Sequence, residues 1–446
     1  MIFEQMKAAL VAAANEAGIE QYEIYYQVGE SISAETLKDE ISAFASSVSG
    51  GICFRCIVDG KMGYASGELM TEEAMRELVK NAVSNAACID SEDEVFIFEG
   101  SPEYARIDAG EVKLTDAVTI RDTALRLQKE TYAQSEKVGD GTQAIAMSSV
   151  SEVHLYNSHG LSLSNRTGMS GAYAAAVVRD GEEAQEAFDF SVGATFEEVK
   201  HTAKKAVREA LDKMGASVAP SGKYNIVFDG KQFRQFLSVF SSAFSAKNAQ
   251  LGLSLLAGKE GEQIAAPFVN IVDDPMREES PIKTPFDGEG VATARRAIVE
   301  NGVLKTMLYD LTTAKKAGVV STGNGQKGSY AAPVSIAPYN FGLMAGEDDL
   351  DTLLSKAGEG IYITECKGFH AGADAVTGDF SIESAGFMIR DGKLAEPVKS
   401  FTVAGNFFEL IKEIDSLGSE VRWGIPGRTV FGAPDVLVRD MSVAGK

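Results

Sequence analysis

The sequence predicts an α+β protein of several domains whose C-terminal half is β-rich, built on a mixed or antiparallel sheet that closes toward a barrel. Three observations carry this. The chain has 446 residues, room for roughly three domains of ~150 residues each. Segments with helical apolar spacing are interleaved with runs of alternating strands, not in a strict strand–helix repeat. Hairpin dipeptides recur between alternating segments at Asp59-Gly60, Asp180-Gly181, Asn301-Gly302 and Asp391-Gly392.

Taken in order, Met6, Leu10, Val11 and Ala14 fall at helical spacing and the run stops at Gly18, so a helix opens the chain. Alternating segments at 22–28, 31–49 and 51–64, punctuated by Gly50-Gly51 and Asp59-Gly60, predict an antiparallel meander. Thr71 then caps a helix that carries Glu72 and Glu73 in its first turn and runs to about residue 87. Residues 90–116 lose periodicity and read as a linker. A second unit follows, with a helix at 116–135, strands at 142–157 and 161–180, and a closing helix at 195–214. Beyond a boundary at 215–222 come a strand at 224–228 and a helix over 232–248. Its Phe233, Phe236, Leu237, Phe240 and Phe244 form a single apolar stripe. The predicted domains are 1–90, 115–218 and 222–446.

Composition narrows the function. With 64 acidic and 42 basic side chains the formal charge is -22, a field that repels phosphate backbones and anionic membrane. Direct nucleic-acid binding is not expected. Residues 1–14 contain Glu4 and lack a basic run ahead of an apolar core, unlike a signal peptide. No window supplies the ~20 apolar residues of a membrane helix, so a cytoplasmic protein is expected. Four cysteines, Cys53, Cys56, Cys88 and Cys366, fit reduced thiols.

Familiar catalytic signatures are missing. The four histidines are His154, His159, His201 and His370, none followed by glutamate, so there is no His-Glu zincin helix. An odd spacing on a strand sends His154 and His159 to opposite faces, and 157–160 reads as a turn. Cys53 and Cys56 are likewise separated on a strand, away from any helix start that would lower a thiol pKa. The glycine-rich run 321–329 lacks the order of a phosphate loop and reads as a surface loop or flap. The densest polar stretch holds Thr364, Glu365, His370, Asp374, Thr377, Asp379 and Ser381 among glycines 368, 372 and 378. Short polar side chains with small neighbours suit an extended peptide, whose amides and carbonyls need partners. The same residues equally suit turns between strands.

These residues carry a resemblance. The blocks Val376-Thr377-Gly378-Asp379-Phe380-Ser381, Ala385-Gly386-Phe387, Asp391-Gly392-Lys393, Pro397-Val398 and Thr402-Val403-Ala404-Gly405-Asn406 resemble the TldD/PmbA family, in its PmbA (TldE) branch. Gly50-Gly51, the run from Asp59 to Ala65, and Tyr156-Asn157-Ser158-His159-Gly160 support it. The family comprises metallopeptidases and relatives once described as modulators of DNA gyrase. The resemblance implies α/β N-terminal and middle domains and a C-terminal sheet rolled into a pseudo-barrel. It also implies a dimer around a cavity in which unfolded or leader peptides are cut. The TldD branch holds its metal with a His-Glu-x-x-x-His helix and a C-terminal cysteine. The equivalent helix here, 232–248, has neither histidine nor glutamate, and the cysteine region reads Val421-Arg422-Trp423-Gly424. The resemblance therefore implies a subunit without metal, with zinc expected only in a TldD-type partner. A homodimeric peptide-binding protein without peptidase activity is the alternative.

Overall fold

Residues 1–90, 94–107, 112–193 and 199–446 are described by a computed structural model. Strands β1 (Tyr22–Leu37), β2 (Glu40–Val58), β3 (Lys61–Gly67), β4 (Gln143–Asn157), β5 (Ser162–Asp180) and β6 (Glu183–Val192) form one six-stranded sheet. Its order is β3-β2-β1-β4-β5-β6, antiparallel throughout. Because β1 pairs with β4 from Glu23↔Asn157 to Leu37↔Gln143, the segments 1–90 and 115–218 share this sheet.

Helices α1 (Phe3–Glu16) and α2 (Glu72–Ala86) cover Ile24, Ile52, Phe54 and Cys56, while α3 (Ala117–Tyr132) and α4 (Val199–Asp212) cover Ile32, Ala34, Ala144 and Ala146. Both sets draw on even-numbered β1 residues, so the helices occupy one face and the odd-numbered Glu23, Tyr25 and Gln27 project from the other. That second face meets the C-terminal half. Thr71 caps α2 as the sequence foretells, accepting the Ala74 N–H, and Asp116 caps α3, accepting the Val118 and Thr119 N–H groups. The predicted start of α4 at Thr195 lies outside the described residues.

One predicted turn is corrected. Gly50-Gly51 lies inside β2, and the chain reverses instead at residues 38–39, where Lys38 has φ 58°. The glycines serve close approach. A Cβ on Gly50 would stand 2.5 Å from the Gln27 carbonyl oxygen, and one on Gly51 would stand 2.4 Å from the Tyr330 ring.

In the C-terminal half, strands Gly222–Phe228, Gly360–Lys367, Asp379–Arg390, Lys393–Asn406 and Val436–Ala444 pair in a closed ring. This is the expected pseudo-barrel. Helix α5 (Gly230–Phe240) lays its phenylalanine stripe into the core with Ile226, Ile363, Ile382, Val403 and Val438. Phe236 meets Phe228, Phe369 and Phe380 edge-on at 5.4, 4.9 and 5.0 Å, geometry favoured by the ring quadrupoles. The predicted helix 232–248 is interrupted by a tighter turn at Ser241–Phe244 before Ala246–Gln250. Among the described residues no helix is long and apolar enough to cross a membrane.

Candidate functional site

The polar stretch singled out in the sequence divides in two. Thr364 and Glu365 lie on Gly360–Lys367 at a bulge between Ile363 and Glu365, and the Thr364 hydroxyl is buried with no hydrogen bond among the described residues. Glu365 pairs with Lys213 at 2.6 Å and with Lys367. Burial works against ionisation there, yet the two ammonium groups hold its carboxyl below the usual range. The other residues build a turn. Asp374 accepts the N–H groups of Val376 and Thr377 at 2.8 and 3.1 Å, and the Thr377 hydroxyl accepts that of Asp379. Asn406 donates to the Thr377 carbonyl and to the Asp379 carboxylate at 2.8 and 2.9 Å. His370 and Ser381 are exposed beside this lock. The Asp374→Ala variant should therefore lose about 1 kcal/mol of stability, read as a lower urea midpoint with unchanged slope.

Helix α5 begins at a charged knot. Asp229 caps it, accepting the Lys231 N–H at 2.6 Å, and receives the Tyr362 hydroxyl at 2.9 Å. Arg422 donates to Asp229 and reaches Asp435 at 3.3 Å, while the Gly230 N–H donates to Asp435 at 2.7 Å. Burial pushes Asp435 up to about 6 in spite of Arg422. Arg234 donates to the Trp423 carbonyl at 2.5 Å, so the helix and residues 421–424 are in direct contact. Arg277 stacks on Trp423 at 4.3 Å beside an open groove of about 490 Å³.

Zinc sites need convergent imidazole, thiolate or free carboxylate ligands. At this junction the two carboxylates are already bound by a guanidinium and a backbone N–H, and α5 adds only phenylalanines, glutamines, arginine and other non-ligands. These residues do not fit the metal. Among the described residues no three His, Cys, Asp or Glu side chains gather as a metal set.

A cavity missed in the sequence lies between the odd face of the first sheet and the C-terminal half. It measures about 210 Å³, and its walls include Tyr25, Gln27, Asp287, Lys327, Tyr339 and Arg428. The run 321–329 is not the expected surface loop, since residues 321–327 are buried. Its polar groups are satisfied internally, the Asn324 amide by Asp273 at 2.8 Å and the Gly325 N–H by Asp287 at 2.9 Å. Lys327 sits 4.9 and 5.1 Å from the ring centroids of Tyr25 and Tyr64 and 3.8 Å from Cys53 Sγ. Burial lowers the Lys327 pKa and raises that of Cys53, so the thiol is no activated nucleophile. Behind them Arg55 pairs with Glu23 at 2.8 Å, and burial pushes Glu289 up to about 7 against the opposing pull of Arg55. The sequence signal was the alternation Glu23, Tyr25, Gln27, which needs the register with β2 before it means anything.

The matches to known proteins follow this architecture. Models of the PmbA/TldA metallopeptidase domain 1, central domain and C-terminal domain match residues 22–86, 108–214 and 221–445. The chain belongs to the PmbA/TldD family. An uncharacterized protein of Methanocaldococcus jannaschii is 30% identical over 88% of this chain and 90% of its own length. Metalloprotease PmbA of Escherichia coli O157:H7 is 22% identical, with 93% and 90% covered. Among solved structures, a Thermotoga maritima protein named for modulation of a DNA gyrase superposes with TM-score 0.88 at 30% identity, covering 99% and 100% of the two chains. TldE of Thermococcus kodakarensis shares the fold, with TM-score 0.86 at 22% identity and the same coverage. Within this PmbA/TldD chain, the family blocks at 376–381 and 402–406 are the two halves of the turn lock, joined by the pairing Asp379↔Asn406.

Proposed function

We propose that this chain is the PmbA/TldE-type, metal-free subunit of a cytoplasmic TldD/TldE-type metallopeptidase that degrades unfolded peptides or processes leader peptides. The observation that carries the reading is Arg422. Where the resemblance places a metal's ligands, an arginine ties Asp229 and Asp435 into a closed ion-pair set, which leaves no group to polarise a scissile carbonyl. In this reading zinc resides only in a TldD-type partner, and this chain supplies dimer surface and peptide contacts through Thr364, Glu365, His370, Asp374, Thr377, Asp379 and Ser381. Assembly has its own support. Residues 41–49 of β2 carry no charge and are nearly all exposed, and among the described residues β3 pairs only with Ile52 to Val58. Sheet edges left unblunted in this way favour pairing with another chain.

Co-expression with a TldD-type subunit tests the proposal. A heterodimer should elute on size exclusion and cleave an unfolded peptide, while this chain alone should be inactive and hold far less than one zinc. His370→Ala, exposed and outside the turn lock, should weaken peptide binding to the dimer without changing its melting temperature. Peptidase activity and stoichiometric zinc in the purified chain alone would refute the assignment.

A further inference from the structure

We propose that the cavity between the first sheet and the C-terminal half is a carboxylate-binding site, for a peptide C-terminus or a small organic acid. It does not depend on the subunit assignment. Two polar groups on its walls have nothing to bind among the described residues. Tyr339 is 3% exposed, and its hydroxyl is buried on the cavity wall with no hydrogen bond among the described residues. The side-chain amide oxygen of Gln27 (Oε1), on the opposite wall, is also buried and has no hydrogen bond among the described residues. Native interiors rarely leave such groups unsatisfied, and a persistent exception points to a ligand or ordered solvent.

Charge then selects the ligand. Lys327 and Arg428 both line the cavity, and neither has an ion-pair partner among the described residues. Lys327 is 3% exposed, its ammonium held against two aromatic rings rather than a carboxylate. The acidic wall residue, Asp287, is otherwise engaged: one oxygen accepts the N–H groups of Glu289 and Val291 and the other that of Gly325. Burial, reinforced by Glu289, also raises its pKa and weakens its charge. Two unpaired cations and a tyrosine hydroxyl thus face a lumen in a chain whose net charge is -22. A carboxylate offers two acceptor oxygens to such donors. At about 210 Å³ the cavity falls below the ~300 Å³ of sites for drug-sized molecules. It suits one acidic group and the residue that bears it.

Calorimetric titration of the full-length chain with trialanine, trialanine C-terminal amide and propionate tests this. Trialanine should bind, and the amide should bind at least ~10-fold more weakly. Tyr339→Phe, which removes only the hydroxyl, and Arg428→Gln, at the exposed rim, should each cost ~10-fold with the melting temperature unchanged. Propionate matching trialanine would assign the site to small acids. Trialanine binding without propionate would assign it to a peptide terminus. Either result upholds carboxylate recognition. Equal binding of acid and amide, wild-type affinity in both variants, or no binding of either acid to the wild type would overturn it. None of these outcomes bears on partner-dependent peptidase activity.

Discussion

Replacing Arg422 with methionine is expected to destabilise the chain by about 3–5 kcal/mol at pH 8, the cost of stranding buried charge. Asp229 and Asp435 are 7% and 5% exposed, so neither recovers its lost partner from water. The Tyr362 hydroxyl and the Gly230 N–H remain, but neutral donors do not cancel two negative charges. Acid should reduce the loss. Burial raises the folded Asp435 pKa from 3.8 to about 6, so the folded state binds its proton more tightly than the unfolded state does. Ionising it therefore costs stability as pH climbs from about 4 to 6. Without Arg422 that window moves higher, and at pH 5 the carboxyl is protonated and the variant is partly relieved. Urea denaturation of both proteins at pH 5 and pH 8 should show a gap that widens with pH. A gap under about 1 kcal/mol at both values would mean that the knot is wet and worth no more than a surface pair.

Much of the fold was legible because local chemistry and tertiary need agree. Asp59-Gly60, Asn301-Gly302 and Asp391-Gly392 all adopt positive φ at both positions, as a two-residue hairpin turn requires. The stripe from Phe233 to Phe240 is fully buried, as a 3.6-residue period demands. Gly50-Gly51 misled because glycine also marks close backbone approach, and only the tertiary partner Tyr330 reveals which use applies. The run 321–329 misled for a related reason. Its small polar residues look solvent-loving, yet Asp273 and Asp287, distant in sequence, satisfy them inside. The candidate site was half legible. Asp374, Thr377 and Asp379 were found as a cluster, but the cluster is locked by Asn406. The cavity was invisible because its walls come from β1, β4 and β5, residues 282–288 and 326–327, Tyr339 and Arg428, brought together only by folding.

The ion pair behind that cavity carries the other large effect. Glu23 is 1% exposed and stands opposite Arg55 in register, held at 2.8 and 2.9 Å. Arg55→Leu is expected to cost about 3–5 kcal/mol at pH 8, since it strands Glu23. Glu289 adds to the penalty. Burial raises its pKa from 4.5 to about 7 while Arg55 pulls it down, so removing Arg55 leaves this carboxylate more costly to ionise. Because the folded pKa exceeds the unfolded one, ionisation of Glu289 lowers stability as pH rises from about 4.5 to 7. The Arg55→Leu deficit should accordingly be larger at pH 8 than at pH 5. Removing the charge at Glu23 as well separates two explanations. If stranded charge is the cause, the double variant Arg55→Leu with Glu23→Leu should recover most of the loss, because a buried pair exchanged for apolar side chains is often neutral or better. If Arg55 acts mainly by filling space, the double variant should be no better than the single one. A recovered double variant would also keep the cavity wall in place, since neither residue lines it. Trialanine should then bind it as it binds the wild type, which puts ligand recognition on Tyr339, Lys327 and Arg428 and leaves the Arg55–Glu23 pair to join β1 and β2 within the first sheet.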